Sequence, residues 1–173
     1  MANEYAKVIL YVYPYLSELS DAVGVAAVNK AMLSFRSRDD ALRTAERIVD
    51  ELAVKSKLVR LEKAVDAVLQ AFDEEEMYLL EYKYFRRRRV LREKYADYCL
   101  QCSERTYFRK QSAVFKKFAS RLALYGWTEQ AYQDAFENFS PFLRVFEVLK
   151  SGREVAIMKK RTRCERVVGS CGR

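Results

Sequence analysis

Residues 95–122 read YADYCLQCSERTYFRKQSAVFKKFASRL, and their spacing decides what the rest of the chain must support. Val114, Phe115, Phe118 and Leu122 recur at helical steps and give one apolar face, while Arg105, Arg109, Lys110, Lys116, Lys117 and Arg121 make the remainder basic. Ser103 stands just ahead of this run. Its hydroxyl can accept a backbone N–H of the first turn, so a helix is expected to open there. Such a helix is buried on one side and cationic on the other.

The whole chain has 173 residues, half of them apolar, which is enough for one domain or two small ones with a proper core. Five glycines and two prolines are few, and the apolar residues follow a 3.6-residue period rather than short β-branched runs, so an all-α fold is expected. The best membrane candidate, Val8 to Leu16, is short and broken by Pro14, and no cleavable leader pattern opens the chain; a cytoplasmic protein is expected. There the four cysteines should remain thiols.

The net charge of +8 is uneven. Residues 1–80 carry 10 Lys+Arg and 14 Asp+Glu, residues 81–125 carry 13 and 4, and residues 126–173 carry 9 and 6. Positive charge therefore concentrates around the helix at Ser103, and a polyanion is its natural partner through counterion release.

Outward from that helix, Tyr5, Val8, Ile9 and Val12 mark one face of a first helix, which Pro14 either kinks or follows by opening a new one. Leu16, Leu19, Val23, Ala26, Lys30 and Leu33 form a narrow seam interrupted once by a lysine. Ser34–Asp40 reads as a loop, with Asp39 or Asp40 as the next N-cap, and Leu42, Ala45, Val49, Leu52, Leu58, Leu61, Val65, Val68 and Phe72 are expected on one face of a long second helix. Residues 1–72 thus read as a helical hairpin, a scaffold or dimerisation surface without chemistry of its own.

Asp73 with Glu76 forms a capping-box pattern, and Met77, Leu79, Leu80, Tyr84 and Phe85 give the helix it starts an apolar surface. Arg86, Arg87, Arg88 and Arg89 follow, read as that helix's C-terminus. A solvated basic end would suit the helix dipole; placed directly before a reading helix, the run is expected to contact phosphate. Val90–Tyr98 is expected as a short supporting helix and residues 99–102 as the turn, which makes residues 73–125 a helix-turn-helix unit. Cys99 and Cys102, with Cys164 and Cys171, invite a zinc reading; without histidine and with irregular spacing they are read as structural thiols, and neither metal nor cofactor is expected. Gly126 should end the recognition helix, Thr128 and then Ser140-Pro141 should start two more over residues 126–157 that pack on the unit, and residues 158–173 form a basic tail.

LLEYKYF at 79–85, followed by CSERTYFRKQSAVFKKF at 102–118, resembles the region-four domain of bacterial sigma factors, in particular the sigma-like regulators of phages and spore-forming bacteria. The resemblance covers roughly residues 73–124. It implies that the helix opening at Ser103 reads DNA in the major groove through Glu104, Arg105, Thr106, Phe108 and Arg109. Backbone phosphates would fall to Arg86, Arg87, Arg88, Arg89, Ser103, Lys110 and Lys116. No counterpart of sigma region two is recognisable, so a regulator is expected rather than a complete sigma factor. Duplex DNA is the expected partner, with RNA polymerase and a second copy of the chain as further candidates and no membrane. The alternative is an adaptor that contacts polymerase or another regulator without reading DNA. An enzyme is not expected: there is no histidine and no glycine-rich phosphate loop, and Tyr107 lacks the partner a nucleophile needs.

Overall fold

The computed structural model describes residues 4–34, 41–98, 100 and 102–151, and among these the chain is all-helical without a strand. Helix α1 (Glu4–Val12) runs through a single 3₁₀ turn (Tyr13–Tyr15) into α2 (Leu16–Ser34). Pro14 lies in the first positions of that turn, where its missing N–H has no bond to break. Helix α3 (Ala41–Leu69) returns antiparallel to α2. The pairing sets the direction: Tyr13 Oη donates to Asp66 Oδ1 at 2.6 Å, Gly24 faces the Lys55 side chain, and Lys30 pairs with Glu51. The hairpin is the expected one, and Glu51 accounts for the lysine that interrupts its seam. Residues 35–40, with the expected caps Asp39 and Asp40, lie outside the described residues.

The single apolar face expected along residues 42–72 divides in two. Leu58, Leu61, Val65 and Val68 are buried, but Leu42, Val49 and Leu52 are 69, 63 and 50% exposed. Spacing is the cause. From Leu52 to Leu58 the step is six residues, which turns an apolar stripe by about 240° around a helix of 3.6 residues per turn. The C-terminal half of α3 therefore faces the core, while its N-terminal half shows apolar side chains to solvent, as do Val25, Val28, Met32 and Leu33 of α2.

Tyr5, Ala6, Val8, Ile9, Leu10 and Val12 are all buried, so α1 is enclosed nearly all round and is the central helix. It packs against α6 (Glu104–Leu124), α7 (Glu129–Phe136) and residues 81–85; α3 packs on α6 and α7 as well. Enclosing a side chain such as Ile9, Leu58 or Leu80 contributes roughly 1.5–3 kcal/mol each. Residues up to Glu137 form one compact unit, so the divisions expected at 72/73 and 125/126 fall at chain turns within it. The second unit begins at Asn138 and contains α8 (Ser140–Lys150). Pro141 lies in its first turn as expected, but Phe139 occupies the N-cap position in place of Ser140 and stacks edge-on with Phe142 at 5.3 Å. Gly152, Cys164, Cys171 and the tail at 158–173 lie outside the described residues.

Candidate nucleic-acid interface

Helix α4 (Glu74–Leu80) starts on the expected capping box: Glu76 N–H donates to Asp73 Oδ1 at 2.8 Å and Asp73 N–H to Glu76 Oε2 at 3.1 Å. The neighbouring acids also tie α4 to α6. Glu75 takes Lys110 and Glu76 takes Lys117, whose ammonium lies 4.7 Å from the Phe72 ring centre. The hydrogen bond to Glu75 holds the Lys110 ammonium above the ordinary lysine range, so this expected phosphate contact is engaged with an acid at the protein surface.

After Leu80 the helix widens into a π turn, Glu81–Phe85, in which Arg86 N–H reaches back to the Glu81 carbonyl at 2.7 Å. Arg86 then adopts a left-handed conformation, φ 52°, that stops it. The wide turn puts Tyr84, Phe85 and the carboxylate of Glu81 inside. A buried carboxylate needs a partner, and Arg87 supplies it.

The four arginines are thus not a helix C-terminus. Arg86 closes the π turn, Arg87 is the N-cap of α5 (Arg88–Glu93), and Arg88 and Arg89 sit in the first turn of α5, at the positive end of its dipole. That position works against helix stability. Arg86 Nε donates to the Lys83 carbonyl at 2.9 Å, and Arg89 bonds Glu93 at 2.9 Å; Arg88 is exposed.

Helix α5 ends at Glu93, not at Tyr98. Tyr95 leaves the helical path to be buried against Tyr78, with ring centres 5.3 Å apart, and Tyr98 packs on the same ring at 4.7 Å. Ten residues, 94–103, therefore join α5 to α6 where a short turn was expected. Leu100 and Cys102 are half-buried there, whereas Cys99 and Gln101 lie outside the described residues. Among the described residues no three Cys, Asp or Glu side chains gather as a metal site, and no helix is long and apolar enough to cross a membrane.

Ser103 caps α6 as its sequence implies: its Oγ accepts Thr106 N–H at 3.3 Å and lies 3.0 Å from Thr106 Oγ1. Gln111, Val114, Phe118, Ala119 and Leu122 form the buried face. At the other end Gly126 takes φ 83°; its N–H donates to Ala123 O at 3.0 Å and Trp127 N–H to Leu122 O at 3.2 Å, a Schellman closure. Trp127 is then stacked on Phe136 at 5.7 Å, with the Arg60 guanidinium 5.4 Å from its ring, and Thr128 caps α7.

On the opposite face of α6, Arg105, Phe108, Arg109, Ser112 and Lys116 are exposed and lie three, four, seven and eleven residues along from Arg105, on one helical face. From Arg105 to Lys116 they cover about 16 Å of helix. Among the described residues none of these three cations meets a carboxylate within ion-pair distance. Glu104 is exposed at the helix start, where its charge suits the dipole. The fold therefore brings Arg105, Phe108, Arg109 and Lys116 to one surface, and it pairs Arg87 with the buried Glu81 and Lys110 with the partly exposed Glu75.

Beside this surface lies a cleft of about 390 Å³ that the sequence did not announce, with Lys7 of α1, Lys83 of the π turn, and Phe108, Gln111, Ser112 and Lys116 of α6 along its walls. Lys83 Nζ donates to Gln111 Oε1 at 2.9 Å, and Gln111 Nε2 donates to Tyr107 Oη at 3.3 Å. Burial, and then repulsion from Lys7 and Arg86, lowers the Lys83 ammonium to about 8. Gln111 was the available signal, a polar residue on the buried helical spacing shared with Tyr107, Val114 and Phe118.

No family model, curated protein or solved structure matches this chain.

Proposed function

We propose that the protein is a DNA-binding transcriptional regulator that lays the exposed face of α6 in the major groove. The observation that carries this reading is the pair Arg105 and Arg109, one turn apart, exposed and without a carboxylate partner on a helix whose other side is core. A guanidinium so presented can pair both O6 and N7 of guanine, and Phe108 between them can touch a thymine methyl. Lys116 and Arg88 would meet phosphates, a reading supported by their exposure and by the position of Arg88 in the first turn of α5, where its charge opposes the dipole. The charge of residues 81–125 and the resemblance of 79–85 and 102–118 to sigma region four support the same reading. The long link between α5 and α6 is compatible with it, because α1, α3 and α4 already hold the back of α6.

Selection of binding sites from a random duplex pool tests the proposal. An enriched sequence whose enrichment disappears with Arg105→Ala or Arg109→Ala supports it; recovery of an unenriched pool contradicts it.

The adaptor reading rests on a different observation, the exposed apolar side chains Val25, Val28, Met32, Leu42, Val49 and Leu52 on the hairpin. A set of this size suits a protein contact, either with polymerase or with a second copy of the chain. Sedimentation at micromolar concentration distinguishes self-association from a monomer that offers the hairpin to another protein.

A further inference from the structure

We infer that the cleft between α1, the π turn and α6 is a binding site for a small polyphosphorylated ligand, held by Lys7, Lys83 and Lys116 with Gln111 and Ser112. Three lysines from three separate segments line a cleft of about 390 Å³, the size of an ordinary ligand pocket, and no carboxylate lines it among the described residues. Surface lysines ordinarily avoid one another or acquire acids, as Lys110 and Lys117 do with Glu75 and Glu76 a short way along the same helix. Here the charge is left uncompensated and one of its carriers is partly desolvated. An anion of two or more charges relieves both costs at once.

The polar fittings suit phosphate. Gln111 is buried and held at both ends of its amide, which fixes Lys83 in the wall; Ser112 adds a hydroxyl, and the Phe108 ring at the rim, 51% exposed, offers a flat apolar surface for the ligand's organic part. Lys7 lies 6.0 Å from the Phe115 ring centre, a contact that orients its ammonium without neutralising it. A DNA backbone phosphate shares this chemistry but carries a single charge, and the recessed Lys83 favours a compact multiply charged ligand. Phe108 and Lys116 belong to both the cleft and the face of α6. An occupied cleft therefore competes with DNA; this last clause alone rests on the function proposed above.

Binding carries a protonic signature. The Lys83 ammonium is lowered to about 8, and the charged groups around it are Lys7 from α1, Arg86 at the end of its own turn and Lys116 from α6, with the phenols of Tyr84 and Tyr107 both held above their ordinary range by burial. An anion raises Lys83 again, so Lys83 takes up protons on binding, against those that a polyphosphate itself releases.

Titration calorimetry of the full chain at pH 8 with inorganic tripolyphosphate, in two buffers of different ionisation enthalpy, tests the site. The expected result is saturable one-to-one binding with more proton uptake, or less release, than Lys83→Met shows; binding is weakened about tenfold by Lys83→Met and by the exposed substitution Lys116→Gln, and unchanged by Arg88→Ala. Repeating the titration with a nucleoside triphosphate should give tighter binding that Phe108→Ala removes. Unsaturable binding, proton exchange identical to that of Lys83→Met, or equal weakening by Arg88→Ala and Arg105→Ala overturns the site in favour of diffuse attraction along the basic face. Melting curves of each variant exclude loss of fold, with Lys116→Gln decisive should Lys83→Met unfold. Competition with a short phosphodiester duplex is read separately: tripolyphosphate binding without competition leaves the site standing and removes only its link to DNA.

Discussion

Arg87 folds back onto the buried carboxylate of Glu81, its Nε 3.2 Å from Oε2 and its guanidinium 5.4 Å from the Phe85 ring centre, and this closes the π turn from which α5 departs. The pair divides four adjacent arginines by role. Removing Arg87 leaves a carboxylate that is 1% exposed without its cation. Loss of one partner of an enclosed pair costs about 3–5 kcal/mol, and because Arg87 is itself 41% exposed the expected cost of Arg87→Ala is lower, about 2–3 kcal/mol. Arg88→Ala touches nothing comparable and should change stability by less than about 0.5 kcal/mol. Urea denaturation of the two variants checks this, and equal midpoints would remove the structural role given to Arg87.

Gly126 offers a test of backbone geometry without packing. A Cβ added there meets no atom within 4 Å, yet φ is 83°. Gly126→Ala should therefore cost about 1–2 kcal/mol through the left-handed conformation alone, and Gly126→Asn should recover part of it. A neutral Gly126→Ala in thermal denaturation would mean that the closure of α6 relaxes into another form.

Much of this architecture was legible because it is local. Asp73, Ser103, Thr128 and Gly126 announced helix ends through the hydrogen bonds or dihedral angles only those residue types supply cheaply, and the buried spacing of Val114, Phe118 and Leu122 named the inner face of α6. Most of what failed depended on which side chains the fold brings together. The end of α5 is set by rings at Tyr78 and Tyr98 competing for Tyr95, and the fates of Arg87 and Lys110 by acids at 81 and 75. The split stripe of α3 was readable from the six-residue step at Leu52–Leu58. The cleft was not, since Lys7 and Lys83 lie 76 positions apart and meet only through the fold.

Lys83 also gives stability a pH dependence of defined sign. Its folded value, about 8, lies below the ordinary 10.5, so the unfolded chain binds more protons between those values and stability rises with pH across that window. The gain should be about 1 kcal/mol once its partial exposure is discounted. Above pH 10 the phenols of Tyr84, which is buried, and of Tyr13, Tyr107 and Tyr132, which are partly buried, are all raised by desolvation and act in the opposite direction because the unfolded chain ionises first. Urea midpoints between pH 7.5 and 9.5 should rise for the native sequence and flatten for Lys83→Met. An unchanged slope in that variant would assign the titration to another group.

The central claim is that α6 reads sequence while α5 only grips, and duplex titration across several salt concentrations measures both together. On the selected site Arg105→Ala or Arg109→Ala should cost about 1–3 kcal/mol and on random duplex much less, since a bidentate base contact carries discrimination. Arg88→Ala should weaken both duplexes alike and lower the salt slope by about one unit. If all three substitutions reduce binding equally on every duplex, α6 is a polyanion surface rather than a reading helix.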